Sequence, residues 1–206
     1  PAVLDELPPK PPSITKPPFE DPLPISWKVR DIGRPLKGGQ RIKDDSWSFY
    51  GGGNDIWNTN DQFRYAYRKL NSDFSFSIKI DSLYNVHQYA KAGIMIRKSL
   101  NPNSAHGLVN IFPSGNTEFG YRTSNGETMK ADSGPQIDLE DARLKIKKSR
   151  NIIEFFVFNS TSWEKIGELD IRKWGKSFYV GIATLSHDNS QLTKAQYSEI
   201  DLNYYE

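Results

Sequence analysis

The sequence predicts an all-β protein, a sandwich of antiparallel strands, and three observations lead there. Short runs alternate apolar and polar residues: over 74–81, Phe74, Phe76, Ile78 and Ile80 oppose Ser75, Ser77, Lys79 and Asp81. That period of two turns one face to a core and the other to water. Turn-forming residues punctuate such runs roughly every 8–12 positions, the spacing of sandwich strands. Aromatic residues make up 13% of the chain, with 10 Tyr and 5 Trp, and sheets are where aromatics are enriched.

Taken in order, residues 1–26 come first and hold nine of the 13 prolines. Proline fixes φ and removes a donor, so this stretch favours extended polyproline II and cannot pair as an interior strand. It is expected to be a semi-rigid linker or tail ahead of a domain at 27–206, or a ligand for a proline-reading domain. Its Leu4, Leu7, Ile14, Phe19 and Leu23 allow another course, along the domain surface.

Strands are expected at 26–31, 41–50, 62–70 and 74–81. Two more, 91–98 and 107–112, are divided by the turn Asn101-Pro102-Asn103-Ser104. Pro113-Ser114-Gly115-Asn116 closes a hairpin into 118–123, and Ser149-Arg150-Asn151 closes another between 143–148 and 152–159. Strands at 163–168, 178–186 and 195–205 complete the set, while 171–175 reads as a short helical turn. No internal repeat is evident.

Composition narrows the function. Twenty-seven basic against 25 acidic residues leave a net charge of +2, too small a field to suggest nucleic acid. The basic run 143–150 alternates with apolar residues and reads as the wet face of a strand. There are no cysteines, which excludes disulfides, thiolate metal sites and cysteine nucleophiles. No apolar run approaches the ~18 residues of a membrane-spanning helix. The Asn159-Ser160-Thr161 sequon is a chance match outside a eukaryotic secretory pathway.

The stretch 49–70 is the most distinctive. Gly51, Gly52 and Gly53 allow a tight turn or a close approach of another segment. Asn54, Asp55, Asn58, Thr59, Asn60 and Asp61 suit Asx turns. A strand then sets Phe63, Tyr65 and Tyr67 against Arg64, Ala66 and Arg68.

Motif order carries a family resemblance. Asp31-Ile32-Gly33, then Gly51-Gly52-Gly53-Asn54-Asp55-Ile56-Trp57, Asp61-Gln62-Phe63, Ala90-Lys91-Ala92-Gly93-Ile94-Met95-Ile96-Arg97-Lys98-Ser99-Leu100 and Ala105-His106 together resemble the DUF1349-type domain, over roughly residue 27 to the C-terminus. The resemblance implies a concanavalin-like, laminin-G-like jelly-roll sandwich of two antiparallel sheets. It also implies no established catalytic machinery and a role in glycan binding, within secreted bacterial proteins built of several modules. Residue 1 is Pro, not Met, so an extracellular or periplasmic setting in a bacterium is expected on the resemblance alone.

Three chemistries compete for the site. The first is carbohydrate binding on the concave sheet, with Trp57, Tyr65 and Tyr121 as stacking faces and Arg97, His106, Asn110 and Arg122 bonding hydroxyls. Arg97 and His106 are expected to emerge from neighbouring strands into one water-accessible hollow. The bland alternative is that Arg97 pairs with Asp55 or Asp61 and that Trp57 plugs the core.

The second is a structural Ca²⁺, which wants roughly 6–8 oxygens. Asp55, Asp61 and Asp201 are its candidate ligands, with solvated turn residues as the alternative. His87, His106 and His187 lack the spacing of a transition-metal site.

The third is glycan cleavage, by a glycoside hydrolase or a lyase. Glu199-Ile200-Asp201-Leu202-Asn203 resembles the Glu-x-Asp-x-Glu strand of concanavalin-like glycosidases, but Asn203 can neither attack nor donate an acidic proton, and Glu206 falls on the other face. Hydrolysis would need two carboxyls facing one cleft, with Asp45, Asp55, Glu118 and Glu127 as candidates. A non-catalytic binding module is the expectation, and a protein-interaction or scaffold domain using the Pro-rich segment is its rival.

Overall fold

In the computed structural model, which describes residues 7–205, the alternating runs become sixteen strands. The first eight are β1 (Lys28–Ile32), β2 (Gly39–Lys43), β3 (Ser46–Gly51), β4 (Ile56–Trp57), β5 (Asn60–Asp61), β6 (Phe63–Leu70), β7 (Phe74–Leu83) and β8 (Lys91–Arg97). The rest are β9 (His106–Ile111), β10 (Asn116–Arg122), β11 (Lys130–Gln136), β12 (Arg143–Ser149), β13 (Ile152–Phe158), β14 (Trp163–Asp170), β15 (Phe178–Leu185) and β16 (Thr193–Tyr204). One seven-stranded sheet runs β1-β6-β15-β8-β9-β10-β11 and the other β14-β13-β12-β7-β16-β3-β2; β4 and β5 pair only with each other.

The two sheets face each other through their apolar sides. Phe74, Phe76, Ile78 and Ile80 of β7 meet Ile94 and Ile96 of β8 and Val109 and Ile111 of β9 in one buried cluster. Phe119 of β10 packs on Phe155 of β13 from the opposite sheet, ring centroids 4.6 Å apart. Each such fully buried side chain contributes roughly 1.5–3 kcal/mol. Gly107 is a condition of that packing, since a Cβ there would run into the Phe155 ring.

Several elements differ from the sequence reading, the short pair β4–β5 in the stretch expected to be turns among them. The single strand expected at 41–50 is the hairpin β2–β3, turned at Asp44, whose φ of 51° is a left-handed conformation that Asp tolerates. Strand β11 was not expected, because Gly134 and Pro135 lie within it; it is the last strand of its sheet, where a missing donor is tolerated. The helical turn expected at 171–175 is a hydrogen-bonded turn from Trp174 to Ile171, and a 3₁₀ turn occurs instead at Leu139–Asp141.

Residues 7–26 lie along the sandwich. Ile14 bridges Leu192, and Glu20 bridges Gln40. Phe19 sits beneath the Arg41 guanidinium at 4.2 Å, and Leu23 packs on the core. Ile14, Phe19 and Leu23, three of the apolar residues set among the prolines, share in this contact. Expectations for residues 1–6 and for Glu206 fall outside the described residues.

Candidate functional site

The sheet β1-β6-β15-β8-β9-β10-β11 has a second face, turned away from the shared core, and strand register lays it out in rows. Arg97 pairs with His106, which pairs with Arg122. The next row is Met95, Leu108 and Gly120, and the next Gly93, Asn110 and Glu118. Lys91 lies on the same side of β8, two residues beyond Gly93. Arg97 and His106 are expected from the sequence to emerge side by side from neighbouring strands, and on this face they do, with Asn110 and Arg122 beside them. Tyr121 does not: it occupies the opposite face, stacked on Phe119 at 5.0 Å against the core.

One end of this face is sealed. Beyond the glycine turn, residues 54–61 cross over it and drive Ile56 into a second apolar cluster with Phe63, Tyr65, Met95, Leu108 and Met129. The crossing requires Gly53, at φ 126° against the Gln62 backbone, where a Cβ has no room. Asp61, at its end, is fully buried between two guanidiniums. It accepts from Arg97 at 2.7 Å and from Arg122 at 2.9 and 3.1 Å.

Most of the remaining guanidinium N–H groups meet loop carbonyls, while His106 Nε2 beside them has no partner. Arg97 donates to the Ser99 and Asn101 carbonyls, and Arg122 to those of Glu127, Ser104 and Asn58. The network thus ties three loops to the sheet. Burial would raise the Asp61 carboxyl, but His106, Arg97 and Arg122 together outweigh it and hold it below the usual carboxylate range. Near neutral pH the guanidiniums are the charges that do so, because burial pushes His106 itself down to about 3. His106 Nδ1 lies 3.2 Å from the Ser104 carbonyl and 3.4 Å from Arg122 Nη1.

The water-accessible hollow expected around Arg97 and His106 is therefore absent. Tyr65, Arg97, His106 and Asn110 have no exposed surface, and Arg122 has 1%. The Tyr65 hydroxyl is 3.0 Å from each of the Met95 and Tyr179 carbonyls. The physical reason is the crossing segment, whose Asp61 makes burying two arginines affordable. The alternative in which Arg97 pairs with Asp61 is what the geometry shows, whereas Trp57 is no core plug: it is 38% exposed.

The candidate calcium ligands do not gather either. Asp61 is occupied by guanidiniums, and Asp55 is paired with Lys91. Asp201 lies on β16 in the other sheet, bonded to Asn203. Among the described residues no cluster of three His, Asp or Glu is arranged to hold a metal ion.

The other end of the face opens into a groove of about 930 Å³. Trp57, Tyr89 and Phe112 are its aromatic walls, and Asp55, Lys91 and Glu118 its charged floor. Leu7 and Pro8 form part of the rim, and the Pro8 carbonyl is held by Asn85 at 2.6 Å. Lys91 is 4% exposed. Its ammonium lies 2.6 Å from Asp55 and 3.9 Å from Glu118, and 5.7 and 5.8 Å from the Trp57 and Phe112 ring centres.

Glu118 Oε1 is buried with no hydrogen-bond partner, and so are both amide atoms of Asn110, its direct cross-strand neighbour. Burial raises the Glu118 carboxyl above its ordinary range, although Lys91 pulls the other way. His187 stacks on His87 at 4.4 Å and lies 3.4 Å from Asp55; burial lowers its pKa.

Of the expected binding residues, Trp57 alone lines the groove, joined by Asp55 from the expected metal set. Lys91, Tyr89, Phe112 and His187 were missed. Lys91 was the readable one, since it shares the Gly93, Met95, Arg97 alternation.

Two antiparallel sheets in this strand order define a concanavalin-like jelly-roll sandwich. Solved structures place the chain among such folds. A functionally unknown protein from Saccharomyces cerevisiae superposes with a TM-score of 0.67 at 13% identity, over 88% of this chain and 97% of that one. The carbohydrate-binding module CBM66 from Bacillus subtilis gives 0.54 at 11% identity, over 91% and 98%. A legume lectin-like domain from Entamoeba histolytica gives 0.56 at 13%, over 91% and 96%. No protein-family model and no curated protein sequence matches the chain.

Proposed function

We propose that the chain is a non-catalytic carbohydrate-binding module of the DUF1349 type, working outside the cytoplasm, with its glycan in the groove beside Trp57. The observation that carries this reading is the lining: three aromatic walls over a charged floor in which Glu118 Oε1 has no hydrogen-bond partner. Ring faces stack on the C–H faces of sugars, while Lys91 and Glu118 supply a donor and an acceptor to hydroxyls. The carbohydrate-binding and lectin-like neighbours support the reading at the level of the fold. No metal ion is needed for these contacts.

Affinity-gel electrophoresis against a panel of polysaccharides, with Trp57→Ala as the control, tests it. At least one polysaccharide should retard the protein, and the variant should bind roughly tenfold more weakly, a loss of about 1.4 kcal/mol. Free migration on every gel would remove the reading.

Hydrolysis in the same groove is the second reading, favoured by Asp55 and Glu118 both approaching Lys91. The 2.6 Å ion pair ties up the Asp55 oxygen that an attack would require, so binding is preferred. Release of reducing sugar from a retarded polysaccharide, abolished by Glu118→Gln, would reverse that preference.

A further inference from the structure

The groove's charge is unbalanced in a way that selects among glycans. Its lining carries three carboxylates, Asp55, Glu118 and Asp138, against the single ammonium of Lys91. Lys91 is committed to Asp55 at 2.6 Å and also approaches the Ile56 carbonyl at 3.5 Å. At 3.9 Å it is too far to hydrogen-bond Glu118. Glu118 Oε1 is therefore a buried acceptor with no donor, and the amide of Asn110, wholly buried and directly opposite in register, is also without a partner.

Buried polar atoms in native proteins are almost always satisfied, so the unmatched Glu118 Oε1, on a side chain that lines the groove, marks the place of a ligand's own donor. Resting on the reading above, we propose that this ligand is a glycan with free amino groups, an amino sugar, and that Glu118 is the counter-ion of its ammonium. An ammonium offers three donors to a site short of them, and it gains further from the faces of Trp57, Tyr89 and Phe112. A uronic acid would bring a carboxylate against three others. The protein's overall charge of +2 pulls the opposite way and favours anionic glycans. A preference for the cationic sugar must then come from the groove itself.

The test is calorimetric titration with equal-length β-1,4 oligomers of glucose, glucosamine and glucuronic acid, at a pH where the amine is protonated. The glucosamine oligomer should bind about tenfold tighter than the glucose oligomer, and the glucuronic acid oligomer weakest of the three. Glu118→Gln should narrow the ratio of glucosamine to glucose affinities to within about threefold. Should that variant fail to fold, added salt should narrow the same ratio in the unaltered protein, because the discriminating force is between charges.

Equal or better binding of the glucose or glucuronic acid oligomer overturns the amino-sugar assignment and leaves the carbohydrate reading standing. A ratio unmoved by both Glu118→Gln and salt overturns Glu118 as counter-ion. If none of the three binds while a polysaccharide still retards the protein, the assignment alone falls. Silence in both assays removes carbohydrate binding with it.

Discussion

The two ends of one sheet face carry the same kinds of groups in opposite states. At the sealed end Asp61, Arg97 and Arg122 form a buried network in which the carboxylate meets two guanidiniums and the other donors meet loop carbonyls. At the open end Asp55, Lys91 and Glu118 are set out on the same strands and crossing segment, but Glu118 and Asn110 keep unmatched atoms. A charge cluster is thus not a binding site by virtue of its residue types. A carboxylate closed in by its own guanidiniums is a staple between loops and sheet, even with His106 Nε2 left unmatched beneath it, whereas an unmatched carboxylate oxygen beside a groove leaves a bond for another molecule to make.

The largest effect that tests this contrast is on stability. Asp61→Asn leaves two buried guanidiniums short of their counter-charge and should cost about 3–5 kcal/mol. Asp55→Asn acts on a pair whose carboxylate side chain is 23% exposed and should cost about 1–2 kcal/mol, since water and the groove can compensate. Urea unfolding of both variants measures the difference. Equal losses would show that the two ends are held by the same kind of interaction.

A smaller effect is expected in acid. Folded His106 stays neutral down to about 3, while in the unfolded chain it takes up a proton near its ordinary 6.5. Between those values the unfolded state binds more protons, so stability falls as pH falls. Asp61, with its folded pKa lowered, adds loss in the same direction at the acid end. His106→Gln carries no titrating group and should flatten stability against pH between about 6.5 and 4, whatever it costs in absolute terms. An unchanged slope would mean that His106 protonates in place.

Much of the architecture could be read from residue alternation, because a strand's two faces are a local property. The β7 pattern and the alternation that sets His106 with Asn110 and Arg97 with Gly93 needed only a count of two. What covers a face is not local. The Met129 amide bonds the Asn58 carbonyl, and Arg122 reaches the same carbonyl, so sealing depends on contacts between segments far apart in the chain. That is why an Arg and a His on one face were expected in water and are found beneath a loop. The hairpin at Asp44 and the strand through Pro135 escaped for the complementary reason: one turn lacks glycine, and one strand contains a residue that only a sheet edge accepts.

The last contrast falls on two residues adjacent in sequence, and Trp57→Ala, the smallest stability effect of the set, is its most selective member. Ile56 and Trp57 form the two-residue strand β4, with Ile56 wholly buried under the sealed end and Trp57 38% exposed beside the groove. Ile56→Ala should cost about 2–5 kcal/mol through the cavity it leaves among Phe63, Tyr65 and Met95. Trp57→Ala removes a partly wet ring and its contact with the Lys91 ammonium, worth about 1 kcal/mol or less in stability. Thermal unfolding beside affinity gels separates the two: Ile56→Ala lowers the melting temperature, and Trp57→Ala lowers retardation with the melting temperature nearly kept. A Trp57→Ala protein that melts as early as Ile56→Ala would place the ring in the staple, and the groove would lose its principal wall.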